Sequence, residues 1–151
     1  MIGTMSGPTS GPKARANSRR TTTASKLPAK RRALLGVVDY TLAKRALLRE
    51  FRGGIISRLD ICDAHPELLR AARYVGEPSS RPCPICDRDE LRLLAYVYGD
   101  DLAADNGRVW ALDKALALAA DHRGARCYVV EVCTACSWNH LREAFVGRSV
   151  G

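Results

Sequence analysis

Two short stretches decide how this chain is read: Arg81-Pro82-Cys83-Pro84-Ile85-Cys86-Asp87 and Val132-Cys133-Thr134-Ala135-Cys136-Ser137. Each carries a Cys-x-x-Cys pair. That spacing sets two thiolates on one tight turn, with backbone N–H groups free to point at the sulfurs. Two such turns brought together supply four soft ligands in a tetrahedron, which suits zinc. Cys83, Cys86, Cys133 and Cys136 are therefore the expected ligands of one Zn2+. A single Cys-x-x-Cys also fits a thioredoxin-type redox motif. That motif needs a βαβ setting, which the segments around Cys83 do not supply.

The gap between the pairs, residues 87–132, is 46 residues long, against roughly 15–20 in simple zinc ribbons. Its sequence explains the excess. Leu91 to Tyr98 reads as a strand leaving the first knuckle, ended by Gly99-Asp100. Arg126 to Val132 reads as a strand entering the second. Between them, Trp110 to about Asp121 is rich in Ala and Leu, with Leu112, Ala115, Leu116 and Ala119 on one helical side. The reading is a ribbon hairpin interrupted by a helix laid across the sheet. Asp87 stands where such turns often carry Gly, and Asp tolerates a left-handed backbone. Cys127 shares a strand face with Val129 and reads as core. His140, four after Cys136, is a possible substitute ligand, but four cysteines already complete a tetrahedron. Its other reading is a surface residue beside Trp138.

Upstream, Ala33 to about Arg52 reads as one helix, with Leu35, Val38, Leu42 and Ala46 at spacings of three and four. Gly53-Gly54 stops it. Ser57-Arg58-Leu59-Asp60 has the form of a capping box for a short helix through about Cys62. Pro66 suits the first position of a further helix ending at Gly76, and His65 suits its cap. The two short helices outline a helix-turn-helix, with Arg70 and Arg73 as its reaching groups. A packed helical hairpin with those arginines in solvent accounts for the same residues. Cys62 reads as a small buried apolar residue.

The charge is unevenly placed. The 151-residue chain has 24 basic and 16 acidic residues, a net charge of +8. Eight of the basic residues, Lys13, Arg15, Arg19, Arg20, Lys26, Lys30, Arg31 and Arg32, lie in residues 1–32, which hold no acid. Residues 33–151 are balanced at 16 of each sign. The first 32 residues are rich in Gly, Pro, Ser and Thr, the composition of a disordered tail. Such a tail can bind a phosphate backbone by counterion release, or simply solvate the chain. A transit peptide ranks last, because its Gly and Pro oppose an amphipathic helix. No window approaches about 18 uninterrupted apolar residues, which excludes a membrane-spanning helix. No apolar stretch of signal-peptide type opens the chain, so a cytoplasmic location is expected, and there six cysteines point to metal rather than disulfides.

Val37-Val38-Asp39-Tyr40, Asp60-Ile61-Cys62-Asp63-Ala64, Leu68-Leu69-Arg70-Ala71-Ala72, Cys83-Pro84-Ile85-Cys86, Tyr98-Gly99-Asp100 and the run from Val130 to Leu141 carry a resemblance. Over about residues 33–147 the chain resembles a family of small uncharacterised actinobacterial proteins, a domain of unknown function. The resemblance implies a bacterial cytosolic protein with a zinc-ribbon-like half, and no activity.

The expected fold is α+β: an N-terminal helical segment packed on a zinc-ribbon-like β-hairpin with an inserted helix. Residues 1–32 form the tail and 33–151 one domain, helical over 33–78 and ribbon-like over 79–147. A four-thiolate site leaves no open position for substrate. No His-Glu-x-x-His, Gly-rich phosphate loop or Gly-x-Ser-x-Gly occurs, and the adjacent Asp100 and Asp101 form no defined acid/base pair. A non-enzymatic module is expected, an accessory docking on RNA, DNA, a ribonucleoprotein such as the ribosome, or the transcription machinery. Lys13, Arg15, Arg19, Arg20, Lys30, Arg31 and Arg32 would meet phosphates. Trp138 would either stack on a base or partner or cover the zinc cysteines as core. The alternatives are a thiol-based redox sensor, with Cys62 or Cys127 as extra disulfide partners, and a protein–protein adaptor.

Overall fold

The computed structural model describes residues 34–147. The expected tail, with Lys13 through Arg32, lies outside the described residues. In chain order the elements are β1 (Leu34–Asp39), α1 (Thr41–Arg52), α2 (Arg58–Ile61), α3 (Pro66–Val75), β2 (Glu77–Pro78), β3 (Leu91–Tyr98), β4 (Arg108–Ala111), α4 (Leu112–Asp121), β5 (Arg126–Cys133) and β6 (Asn139–Gly147). A 3-10 turn, Asp100–Asp105, joins β3 to β4.

The strands form one antiparallel sheet in the order β1-β6-β5-β3-β2, and β4 also pairs with β3. β3 and β5 run together without a break, from Leu91 opposite Cys133 to Tyr98 opposite Arg126. β6 returns along β5, with a bulge that leaves Arg142 between the pairs Val129–Glu143 and Val130–Leu141. The fold is thus mixed helix and antiparallel sheet, as expected, but the hairpin is the centre of a larger sheet.

Two expected helix boundaries are corrected. The helix read from Ala33 begins only at Thr41, and residues 34–39 are strand β1 on the sheet edge. The stretch Gly36-Val37-Val38 disfavours helix through Gly and β-branched side chains. Asp39 then turns the chain, its Oδ1 accepting the Thr41 N–H at 2.8 Å. The spacing of apolar residues ran through this junction and concealed it. Trp110 likewise belongs to β4, and the inserted helix starts at Leu112. The other helical signals hold. The Ser57 N–H donates to Asp60 Oδ2 at 2.8 Å, at the start of α2. His65 caps α3, its Nδ1 accepting the Glu67 N–H at 3.2 Å.

Alternation along β5 divides the core. Cys127, Val129, Glu131 and Cys133 face one way, Tyr128, Val130 and Val132 the other. On the first side α4 packs Leu112, Ala115, Leu116 and Ala119 against Ala95, Val97, Cys127, Val129 and Phe145. On the second, Leu68 and Ala72 of α3 meet Leu94, Val130 and Val132. Arg70 and Arg73 of α3 are exposed. A third cluster closes the knuckle end of the sheet: Leu48 of α1 and Ile61 of α2 lie with Cys83, Leu91, Cys133 and Trp138.

Leu94 has no exposed surface and joins the sheet to α3. Leu94→Ala is expected to destabilise the protein by about 2–5 kcal/mol. Urea denaturation would show this as a lower midpoint with an unchanged slope.

Candidate metal centre

The two knuckles meet because their strands do. Cys83 and Cys86 precede β3, and Cys133 closes β5 directly opposite Leu91. The knuckles are built alike. In the first, the Asp87 N–H donates to the Cys83 carbonyl at 2.9 Å and the Cys83 N–H to the Arg88 carbonyl at 3.0 Å. In the second, Ser137 N–H to Cys133 carbonyl is 3.0 Å and Cys133 N–H to Trp138 carbonyl 2.8 Å. Asp87 and Ser137 occupy the same place, four after the first cysteine, and both are left-handed, with φ of 63° and 73°. The expectation for Asp87 is met. Ser137 was not singled out, although its position within its knuckle repeats that of Asp87.

Backbone donors aim inward. The Ile85 N–H lies 3.3 Å from Cys83 Sγ, and the Ala135 and Cys136 N–H groups lie 3.3 and 3.4 Å from Cys133 Sγ. Such donors favour the thiolate form. All four sulfurs fall within 4.8 Å of one another. The cross-knuckle pairs Cys83–Cys136 and Cys86–Cys133 are each 3.7 Å apart. A tetrahedron with metal–sulfur bonds of about 2.3 Å has edges of about 3.8 Å, so the donor set fits one thiophilic ion. Hydrogen bonds from Cys133, Cys62 and Cys83 push the Cys136 thiol far below its usual range. The bond to Cys136, followed by burial, pushes Cys62 up, and sulfur hydrogen bonds push Cys83 up. A divalent cation bound between the four sulfurs would replace the protons that they share.

Beside the sulfurs lies a buried polar network that sequence reading missed. Glu131 is 1% exposed. Its carboxylate accepts Lys44 Nζ of α1 at 2.8 Å and Trp138 Nε1 at 2.9 Å, with Arg142 Nη1 at 3.8 Å. Burial alone would raise its pKa. The charges of Lys44 and Arg142, with hydrogen bonds from Lys44 and Trp138, overcome that and hold it at about 2. Burial lowers Lys44, and Glu131 partly restores it. The signal was present in Val130-Glu131-Val132, since one acid between buried valines in a strand demands a partner. The partner, 87 residues away, was not legible.

Trp138 has no exposed surface and lies among the cysteines. Of its two readings, stacking on an external base is therefore corrected and the covering role stands. His140 is also buried, not on the surface, with its ring stacked on Trp138 at 5.7 Å. Its position opposite Glu131 in β6 turns it inward. Burial lowers its pKa to about 4, so the ring is neutral at pH 7. Its Nδ1 meets the Leu141 carbonyl, and its Nε2 has no partner among the described residues. It is not in the close four-sulfur group. Cys127 is fully buried on the α4 side, as expected.

A family model described as "Family of unknown function (DUF5318)" matches residues 30–150. The uncharacterized proteins Mb0050 of Mycobacterium bovis and Rv0049 of Mycobacterium tuberculosis are each similar to the chain. Each is 42% identical over 109 residues, covering 72% of this chain and 80% of the relative. No solved structure matches.

Glu131→Gln would leave Lys44 largely buried without its counter-charge. The expected loss is about 3–5 kcal/mol of stability, read by denaturation of the metal-loaded protein. Separately, Cys133→Ser is expected to abolish stoichiometric metal binding while Cys127→Ser retains it, as elemental analysis would show.

Proposed function

The chain belongs to that family of unknown function, and for this member we propose a non-enzymatic, zinc-held docking module. The carrying observation is the set of four sulfurs, all within 4.8 Å of one another, with two cross-knuckle pairs at 3.7 Å, close to the edge of a metal–thiolate tetrahedron. Zinc favours four thiolates in this geometry, and such a site is structural because no position is left for substrate or water. Residues Cys83, Cys86, Cys133 and Cys136 would hold the ion. What it supplies is cross-linking: it ties the entry of β3 to the exit of β5 and, through Trp138 and Leu48, steadies α1.

Docking is proposed on a nucleic acid or ribonucleoprotein surface, as an accessory of translation or transcription. The support is the charge distribution: a balanced body preceded by eight cations without an acid. Phosphate contact is assigned to Lys13, Arg15, Arg19, Arg20, Lys30, Arg31 and Arg32, and the buried Trp138 takes no part in docking. Leu42, Ile55 and Leu59, between 73% and 86% exposed on and between α1 and α2, offer apolar contact to a protein component. Among the described residues no helix is long and apolar enough to cross a membrane. A second reading, control by thiol oxidation, is favoured by the position of Cys62.

Purified protein is expected to carry one zinc per chain. A structural site of this kind contributes about 10–16 kcal/mol near neutral pH, so a strong chelator should unfold residues 81–140. Absence of zinc overturns the metal reading. Deleting residues 1–32 should flatten the dependence of nucleic-acid affinity on salt, in a titration against the full chain. The loss of slope can approach about eight counterions, with zinc content unchanged. An unchanged slope assigns the contact to the body instead.

A further inference from the structure

The metal site has a fifth sulfur that its coordination does not use. Cys62 follows α2, outside both knuckles, yet its Sγ lies 3.7 Å from Cys136 Sγ. That is the same spacing as between the sulfurs of opposite knuckles. The approach is built by three further contacts. The Ala64 N–H donates to the Ser137 carbonyl at 3.0 Å, and Asn139 Nδ2 donates to Asp63 Oδ1 at 3.0 Å. The Arg58 guanidinium, from the start of α2, lies close enough to the Cys62 sulfur to draw its pKa down against the larger upward effects of Cys136 and burial. Residues 62–64 are thereby strapped along the second knuckle, with the thiol aimed at one ligand. Cys62 is half-buried and its neighbour Arg58 is exposed, so this cysteine lies at the solvent side of the cluster.

Resting on the metal reading above, we infer that Cys62 is a hydroperoxide-reactive site whose oxidation opens the centre through a Cys62–Cys136 disulfide. The four ligand sulfurs share their electron density with a metal, whereas Cys62 stands outside that group, so its sulfur is the one free to react once deprotonated. Its sulfur attacks the terminal peroxide oxygen and the O–O bond breaks. The thiol proton passes to the departing alkoxide or hydroxide, leaving a sulfenic acid and an alcohol or water. Cys136 sulfur then attacks Cys62 sulfur. The S–S bond forms, the S–O bond breaks, and hydroxide leaves to take a proton from solvent. The two cysteines lose two electrons and the peroxide gains them. The sulfurs close from 3.7 Å to about 2.05 Å, a movement within reach of side-chain rotation. Cys136 is then no longer a thiolate, and three sulfurs remain where four held the ion.

The experiment uses the full-length, reduced, zinc-loaded protein. Zinc content is measured before any oxidant is added, and a chain that neither contains nor takes up zinc overturns the metal reading itself. Hydrogen peroxide is then added in a stoichiometric series. Released zinc is followed with a chromogenic chelator, and disulfides are mapped by mass spectrometry of unreduced peptides. The expected first disulfide is Cys62–Cys136, appearing in step with zinc release and reversed by a thiol reductant with zinc. Cys62→Ser and Cys62→Ala should hold zinc normally when reduced and release it at least about tenfold more slowly under peroxide. Cys127→Ser should release at the rate of the unaltered chain. Equal release rates in the Cys62 variants and the unaltered chain overturn the inference. So does a first disulfide within Cys83–Cys86 or Cys133–Cys136.

Discussion

The antiparallel pairing of β3 with β5 is the constraint on which the other features rest. Its eight consecutive residue pairs set Leu91 against Cys133, and this register alone brings two knuckles separated by 46 residues to one end of a sheet. A slip by one residue would turn Cys133 to the opposite face, because strand side chains alternate. Val130 and Val132 would turn with it, away from Leu94 of β3. Metal site and core are thus specified by one choice of register, and each makes the alternative registers unfavourable.

The knuckle end carries a second constraint of a different kind. Glu131 is buried in the strand that ends in a ligand, and it draws Lys44 from α1 and the indole N–H of Trp138 to itself. A carboxylate taken from water must be compensated in place, so this network admits few arrangements. It orients the indole over the cysteines and positions α1, whose Leu48 completes the same cluster. Stability from such a buried pair is modest. Its contribution is to make one packing of the helix on the knuckle much better than its neighbours.

Legibility in the sequence followed the range of the interactions concerned. The ligand set rests on spacings of two residues, and the α2 and α3 starts rest on Ser57-Asp60 and His65-Pro66, all local signals. β1 was misread because Leu35, Val38, Leu42 and Ala46 keep helical spacing across a junction that Asp39 turns. Trp138 had two readings in the sequence because an indole after a knuckle suits a core or a surface equally. Its distance from solvent depends on α1, α2 and the Glu131 carboxylate.

By itself the sequence determined the chemistry: four paired thiols, a basic segment apart from a balanced body, and a mixture of helix and strand. These depend on residue identity and short spacing, which no fold can alter. Tertiary structure alone decided that the hairpin belongs to a six-stranded sheet, that Glu131 finds Lys44, and that Cys62 stands 3.7 Å from Cys136. The last two join residues 87 and 74 positions apart. Their meeting depends on how the packed helices return the chain to the sheet, and a lone Lys, Glu or Cys carries no local mark of its partner.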